Sequence, residues 1–418
     1  MQIIPKELNK KLKKLENSHK DMIKQDSKVL KTIDDKSVSS LVNYVNNSAK
    51  YPIYQNTTCQ YFGTGEEMFP RLKEEIEKAQ NFIFLEYFII DQGIMWDSIL
   101  KILKKKVEQG VKVRVLYDGM CSIFQLPKNY SKKLKEADIE CKLFAPIKPV
   151  ISTIYNNRDH RKIAIIDGKI AFTGGINLAD EYINAYERFG YWKDSAIMLK
   201  GKAVQSFTKM FLDMWNIDEL KYENYNPYLI DYEIESDSYI MPYCDNPLDI
   251  ELVGENVYLN MIHNATKYIF ITSPYLVLDN EMLTALELAS KRGVEVKLLL
   301  PHIPDKKYAY LVARTYYEEL IEAGVNIYEF IPGFIHAKNV ICDDEKAVVG
   351  TINFDYRSLY LNFECAVFLY KDKAIKDILK DYDKTLKKSK KITLQECKNY
   401  GIIKKGIGRL LRMFAPLM

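Results

Sequence analysis

Two stretches of the chain set histidine, lysine and aspartate at one fixed spacing. Residues 160–167 read HRKIAIID and residues 336–343 read HAKNVICD, so each carries His-x-Lys, four residues, then Asp. The residues are His160, Lys162 and Asp167 in the first copy and His336, Lys338 and Asp343 in the second. Each runs on into Gly-(Gly/Thr)-Ile-Asn, ending at Asn177 and Asn353, seventeen positions after its histidine. On an extended strand residues i and i+2 share a face, so His-x-Lys presents an imidazole beside an ammonium. A neutral imidazole nitrogen can attack phosphorus while the ammonium steadies the phosphoryl oxygens. The amides of Asn177 and Asn353 can donate to the same oxygens. One copy supplies a nucleophile and no acid; two copies supply both, as a covalent route requires. A lone His-x-Lys is more often a satisfied core histidine, but a matched pair with a matched Asn offset argues for chemistry. Asp167 and Asp343 lie too far along the strand to touch a phosphate held by the histidines. They read as structural partners that hold the motif's turn.

At these residues the chain resembles the phospholipase D superfamily and, within it, the bacterial cardiolipin synthases. The closer likeness rests on NNRDHRKIAIIDGKIAFTGGINLADEYI (156–183), PGFIHAKNVICDDEKAVVGTINFDYRSLYLNFE (332–364) and YFGTGEEMF (61–69), and it covers about residues 50 to 418. It implies phosphatidyl transfer between two phosphatidylglycerol molecules through a phosphatidyl-histidine, giving cardiolipin and glycerol, with no cofactor and no metal. His160 is the nucleophile by that analogy and His336 the acid, although the near-symmetric halves leave the exchange of roles open. Asp194 and Glu364, 34 and 28 positions past the two histidines, are the carboxylates that the resemblance assigns to fixing the imidazole tautomers. Which serves which histidine is not readable in the sequence. Glu67, Tyr275 and Arg357 are weaker candidates for headgroup contact. His19, His263 and His302 have no repeat mate.

Length and composition fit this reading. At 418 residues with 47% hydrophobic content the chain holds two domains or one large duplicated one. A net charge of +4 is too small for a strongly basic nucleic-acid binder, so no nucleic-acid partner is expected. The seven cysteines are scattered without a CxxC pair, which indicates neither zinc nor a disulfide frame. No apolar run reaches the eighteen or so residues of a spanning helix, whereas synthases of this kind usually begin with two. The expectation is a protein on the cytoplasmic face of a bacterial cell membrane, peripheral in the form given by this sequence whether or not the natural protein has those helices, and partnered by phosphatidylglycerol and an anionic surface. A hydrolytic phospholipase D, a phosphatidyltransferase using another alcohol, a phosphodiesterase nuclease and a non-catalytic relative are the alternatives. The last would lack a motif His or Lys, and none is missing.

The elements that must position these residues repeat. Helix 66–80, strand 82–90, helix 95–108, strand 111–117, a helix near 130–137 and strand 140–144 lead through a loop with Pro146 and Pro149 to His160. Helix 255–266, strand 268–273, helix 280–292, strand 294–300, helix 306–323 and strand 325–330 lead to His336. The alternation reads as parallel βαβ units. Gly-Val-x-Val at 110–113 and 293–296 is offset by 183, the histidines by 176, which argues an internal duplication. The expected fold is α/β, two pseudo-twofold-related halves, each a mixed sheet flanked by helices, with the site at their interface. The expected divisions are a basic helical segment 1–49 (Leu8, Leu12 and Leu15 among lysines), a first half 50–216, a linker 217–240, a second half 241–390 and a basic amphipathic tail 391–418. That tail suits either an interfacial helix or a helix packed on the protein's own core, with Gly406 and Gly408 weakening the helix.

Overall fold

The computed structural model describes residues 22–121, 125–145, 157–219, 222–248 and 250–415, together with 10, 14 and 15. Leu8, Leu12, Pro146, Pro149 and His19 lie outside the described residues.

The first half builds β1 (Thr57–Phe62), β2 (Phe82–Tyr87), β3 (Lys112–Asp118), β4 (Glu140–Phe144), β5 (Arg158–Asp159), β6 (Lys162–Ile166), β7 (Ile170–Gly174), β8 (Tyr191–Lys193) and β9 (Ala196–Gly201). The second builds β10 (Tyr239–Asp245), β11 (Tyr268–Thr272), β12 (Leu276–Val277), β13 (Glu295–Pro301), β14 (Asn326–Phe330), β15 (Gly333–Ile335), β16 (Asn339–Cys342), β17 (Lys346–Gly350), β18 (Phe354–Asp355), β19 (Asn362–Tyr370) and β20 (Ser389–Lys391). One sheet runs β1-β9-β7-β6-β2-β3-β4, the other β10-β19-β17-β16-β11-β13-β14-β20. The first seven positions correspond strand for strand, and so do their directions. This is the duplication seen as topology.

The strands of the βαβ units, β2-β3-β4 and β11-β13-β14, run parallel as their alternation with helices predicts, and each sheet is mixed. The rest of each sheet is antiparallel, because three-residue loops join β6 to β7 and β16 to β17, and so short a loop permits no crossover. Those loops are the motif turns. Asp167 and Gly168 sit at φ of 52° and 63°, Asp343 and Asp344 at 53° and 65°, in the left-handed region that Gly, Asp and Asn tolerate best. β2 (FIFLEY) is buried along its whole length, the pattern of a central strand covered on both faces.

Two helices join the sheets. Val204–Trp215 lies on β6 of its own half and β10 of the other; Ala374–Leu386 lies on β16 and β1. The first is buried almost all round, and Phe211 stacks between Phe84 at 4.7 Å and Trp215 at 5.7 Å. β17 faces β7 and β9 across the interface. The helix Lys36–Ala49, capped by Asp35, packs on the second half, where Lys346 meets Asp35 at 2.6 Å.

Candidate active site

The histidines stand just outside their own sheets, His160 two residues before β6 and His336 three before β16. β6 opens at Lys162 and β16 at Asn339, so the His-x-Lys pair is not strand throughout, as its spacing predicts. Hydrogen bonding explains the difference. The His160 N–H donates to the Phe363 carbonyl at 2.9 Å and the His336 N–H to the Lys193 carbonyl at 2.7 Å. Each backbone leaves its own sheet to bond the opposite half. β5 correspondingly pairs with β19, and β8 with β15. Lys162 Nζ donates to the His160 carbonyl at 2.6 Å, and Lys338 Nζ likewise to the His336 carbonyl, so each ammonium is folded back beside its imidazole.

The carboxylates cross as well. His160 Nδ1 lies 2.9 Å and 3.0 Å from the two oxygens of Glu364, 204 residues away. His336 Nδ1 lies 2.8 Å from Asp194 Oδ2, 142 residues away. With Nδ1 engaged, Nε2 is the nitrogen left for chemistry on each ring. Glu364 also accepts from Thr351 Oγ1, from Ser358 Oγ at 2.7 Å and from Asn362 Nδ2 at 3.3 Å. Asp194 accepts from the Ser195 N–H at 2.8 Å. A side chain at Gly175 would strike both Asp194 Oδ1, at 2.0 Å, and the His336 carbonyl, at 2.8 Å, so glycine is what lets the halves approach here.

Burial, then Lys162, Lys338, Lys306 and Arg357, push His160 well below the ordinary histidine range. Burial and Lys338 take His336 down to about 3, against the pull of Asp194. Charges from both copies thus act on each imidazole, as expected of two motifs that lie near one another. Burial brings Lys162 to about 8 and Lys338 to about 7. The carboxylates differ. Burial raises Glu364 to about 7, in spite of Lys162. Burial also opposes ionisation of Asp194, but His336 and Lys338 hold it below the usual carboxylate range.

A sequence profile described as the phospholipase D-like domain of cardiolipin synthase matches residues 72–215 and 258–386, taking in both motifs. The chain belongs to the phospholipase D-like cardiolipin synthase family. It is 49% identical over 417 residues to an uncharacterized protein of Streptococcus mutans, covering 99% of this chain and 90% of that one. It is 35% identical to a cardiolipin synthase of Halalkalibacterium halodurans over 88% of this chain and 74% of the relative. A crystal structure of phosphatidylserine synthase from Haemophilus influenzae shares the fold, with a TM-score of 0.66 at 16% identity, covering 92% of this chain and 98% of that one.

The remaining motif residues of this cardiolipin synthase-family chain divide by contact. Asp167 accepts from the N–H groups of Gln80, Asn81 and Phe82 at 2.7–2.9 Å. Asp343 does the same for Thr266, Lys267 and Tyr268. Each aspartate therefore ties its motif turn to the start of the neighbouring strand. Asp167→Ala would orphan three backbone donors and is expected to cost about 3 kcal/mol of stability, read as a lower urea midpoint. Turnover of the folded fraction should stay within about tenfold; a larger loss without destabilisation would place Asp167 in the chemistry.

Asn177 accepts from the Ile89 N–H at 2.9 Å and donates to Tyr182 at 2.7 Å, which leaves one of its two amide donors. Asn353 is buried and its Oδ1 has no partner. Glu67 is exposed and accepts from the Gly63 N–H, closing the start of the helix Gly65–Lys78. Tyr275 donates to Asp305 at 2.6 Å and lies 6.4 Å from Phe334, whose ring is 5.8 Å from His336. Arg357 acts on His160 electrostatically. His302 pairs with Glu329 at 2.9 Å. Lys306, whose ammonium lies 4.7 Å from the Tyr275 ring, and the aromatic wall of Phe88, Tyr182 and Trp192 around the histidines carry no sequence signal. They are assembled from separate elements: Phe88 just after β2, Tyr182 in the 3-10 helix Asp180–Ile183 and Trp192 in β8. All seven cysteines are free thiols.

Proposed function

We propose that the protein is a cardiolipin synthase acting on two molecules of phosphatidylglycerol. The observation that carries this reading is the crossed pairing of His160 with Glu364 and His336 with Asp194, which orients two imidazoles from opposite halves in one lysine-rich cleft. His160 Nε2 attacks phosphorus, the bond from phosphorus to the glycerol oxygen breaks, and His336 gives its proton to that oxygen. Phosphatidyl-His160 and glycerol result. His336 then takes the proton from a glycerol hydroxyl of a second phosphatidylglycerol. That oxygen attacks phosphorus, the phosphorus–nitrogen bond breaks, and His160 is restored.

The unequal carboxylates support this division of labour. Asp194 is held ionised, which favours an imidazolium at His336 and so an acid. Glu364, raised to about 7, gives His160 less inducement to carry a proton, and a nucleophile must be neutral. The incoming phosphodiester adds a negative charge that lifts the proton affinity of His336. Lys162, Lys338, Asn177 and Asn353 supply the field for the phosphoryl oxygens. Asp167 and Asp343 hold the motif turns, and Glu67, Tyr275 and Arg357 are proposed to meet the headgroups.

The test is to incubate the protein with phosphatidylglycerol vesicles in the presence of a chelator and weigh the products. Cardiolipin with glycerol is the expected outcome. Phosphatidic acid alone would make the protein a hydrolase, and a requirement for divalent cation would remove the metal-free route. A pH profile adds an independent check. A lysine is charged below its pKa, so phosphate binding should be full below about pH 7 and should decline through about pH 8 as Lys338 and then Lys162 lose their protons. A kcat/KM profile flat to about pH 10, where an ordinary lysine titrates, would separate the lysines from phosphate binding.

A further inference from the structure

We infer that the helix Ile402–Arg412 and the turn after it dock the protein on an anionic lipid surface, through an apolar stripe turned away from the protein itself. The inference rests on the lipid reading above and names the surface that brings the site to its substrate. An amphipathic helix of a globular protein ordinarily packs its apolar side inward. This one is inverted. Ile402, Ile403, Ile407, Leu410, Met413 and Phe414 are 45% to 86% exposed. The opposite side, polar but for the half-buried Leu411, faces the helix Lys307–Glu322. Lys405 meets Glu318 at 2.9 Å, and the Arg412 guanidinium lies 3.8 Å from the Tyr316 ring. Gly408 is buried there, where a side chain would run 2.6 Å from the Leu311 carbonyl oxygen. A glycine inside the helix thus has a packing reason.

At about 100° per residue the six exposed apolar positions fill one arc of roughly 140°. Arg409 lies about 20° beyond one end of the arc and Lys404 about 60° beyond the other, both exposed. Residues 401–415 contain no Asp or Glu. An anionic bilayer surface fits all of this, with the stripe at the acyl boundary and the flanking cations at the phosphates. A second copy fits poorly, because twofold pairing of this face would set cations against cations. Among the described residues no helix is long and apolar enough to cross a membrane, so attachment through this helix is interfacial. The same helix Lys307–Glu322 follows Lys306, which acts on His160.

The experiment is flotation of the full chain with vesicles of phosphatidylcholine alone or mixed with phosphatidylglycerol. It needs no turnover, so it fails separately from the reaction proposed above. Ile403→Asp with Leu410→Asp should weaken binding to the mixed vesicles by at least about tenfold, with unchanged melting temperature. Lys404→Gln with Arg409→Gln should weaken it by roughly fivefold per cation, and only where phosphatidylglycerol is present. Flotation of the aspartate variant equal to the unaltered chain would overturn the inference. So would light scattering that shows these substitutions dissolving a dimer while vesicle binding persists, since the face would then be a contact between copies.

Discussion

His160→Ala is expected to lower turnover by about 10⁴-fold or more, whatever the leaving group, because no other group on the line of attack can form the covalent intermediate. His336→Ala should lose about 10³-fold on phosphatidylglycerol yet recover most of its first step on a p-nitrophenyl ester of phosphatidic acid, whose phenolate departs without a proton. The release of p-nitrophenol in a stopped-flow burst measures that step directly. Rescue of the His336 variant alone supports the assignment. Rescue of the His160 variant alone would exchange the two roles, and rescue of neither would remove acid catalysis from the first step.

Asp194→Asn is the second large effect. The asparagine amide can donate to Nδ1, which moves the ring proton to Nε2. His336 then cannot accept a proton from the second phosphatidylglycerol, and its imidazolium has lost its counter-charge. The expected loss in kcat is about 10³–10⁴-fold, with phosphatidyl-enzyme accumulating on the activated ester and visible as an intact-mass increment. Glu364→Gln should cost roughly tenfold less, because Glu364 is raised to about 7 and is neutral part of the time already. Equal losses in the two variants would contradict the division of labour between the histidines.

These residues were not equally legible in the sequence. The motif was readable because its members lie within eighteen residues of one another and occur twice. The duplication was readable from Gly110 and Gly293, which mark equivalent turns. The pairing of Asp194 with His336 and of Glu364 with His160 was not, since it spans 142 and 204 residues and depends on how two sheets face. Strand direction was readable for the βαβ part of each sheet, while the pairing of the hairpin strands that complete it was not, because alternation of strand and helix says nothing about the hairpins that follow. Asn177 shows a subtler limit. Its offset marks it as a donor, but the sequence does not tell that Tyr182, five residues on, takes one of its N–H groups. In the last helix, periodicity gave the stripe and not the side that faces the protein. Gly408 decides that, by admitting close approach only on the polar edge.

Each imidazole takes its orienting carboxylate from the other half, and this has a consequence for biogenesis. A chain whose halves have folded but not yet met has two histidines without tautomer control and two carboxylates without a ring to hold. Such a chain is expected to turn over lipid far more slowly than the assembled protein. On the proposed mechanism competence therefore depends on the halves meeting, and a copy whose halves are apart is expected to do little to the lipids around it.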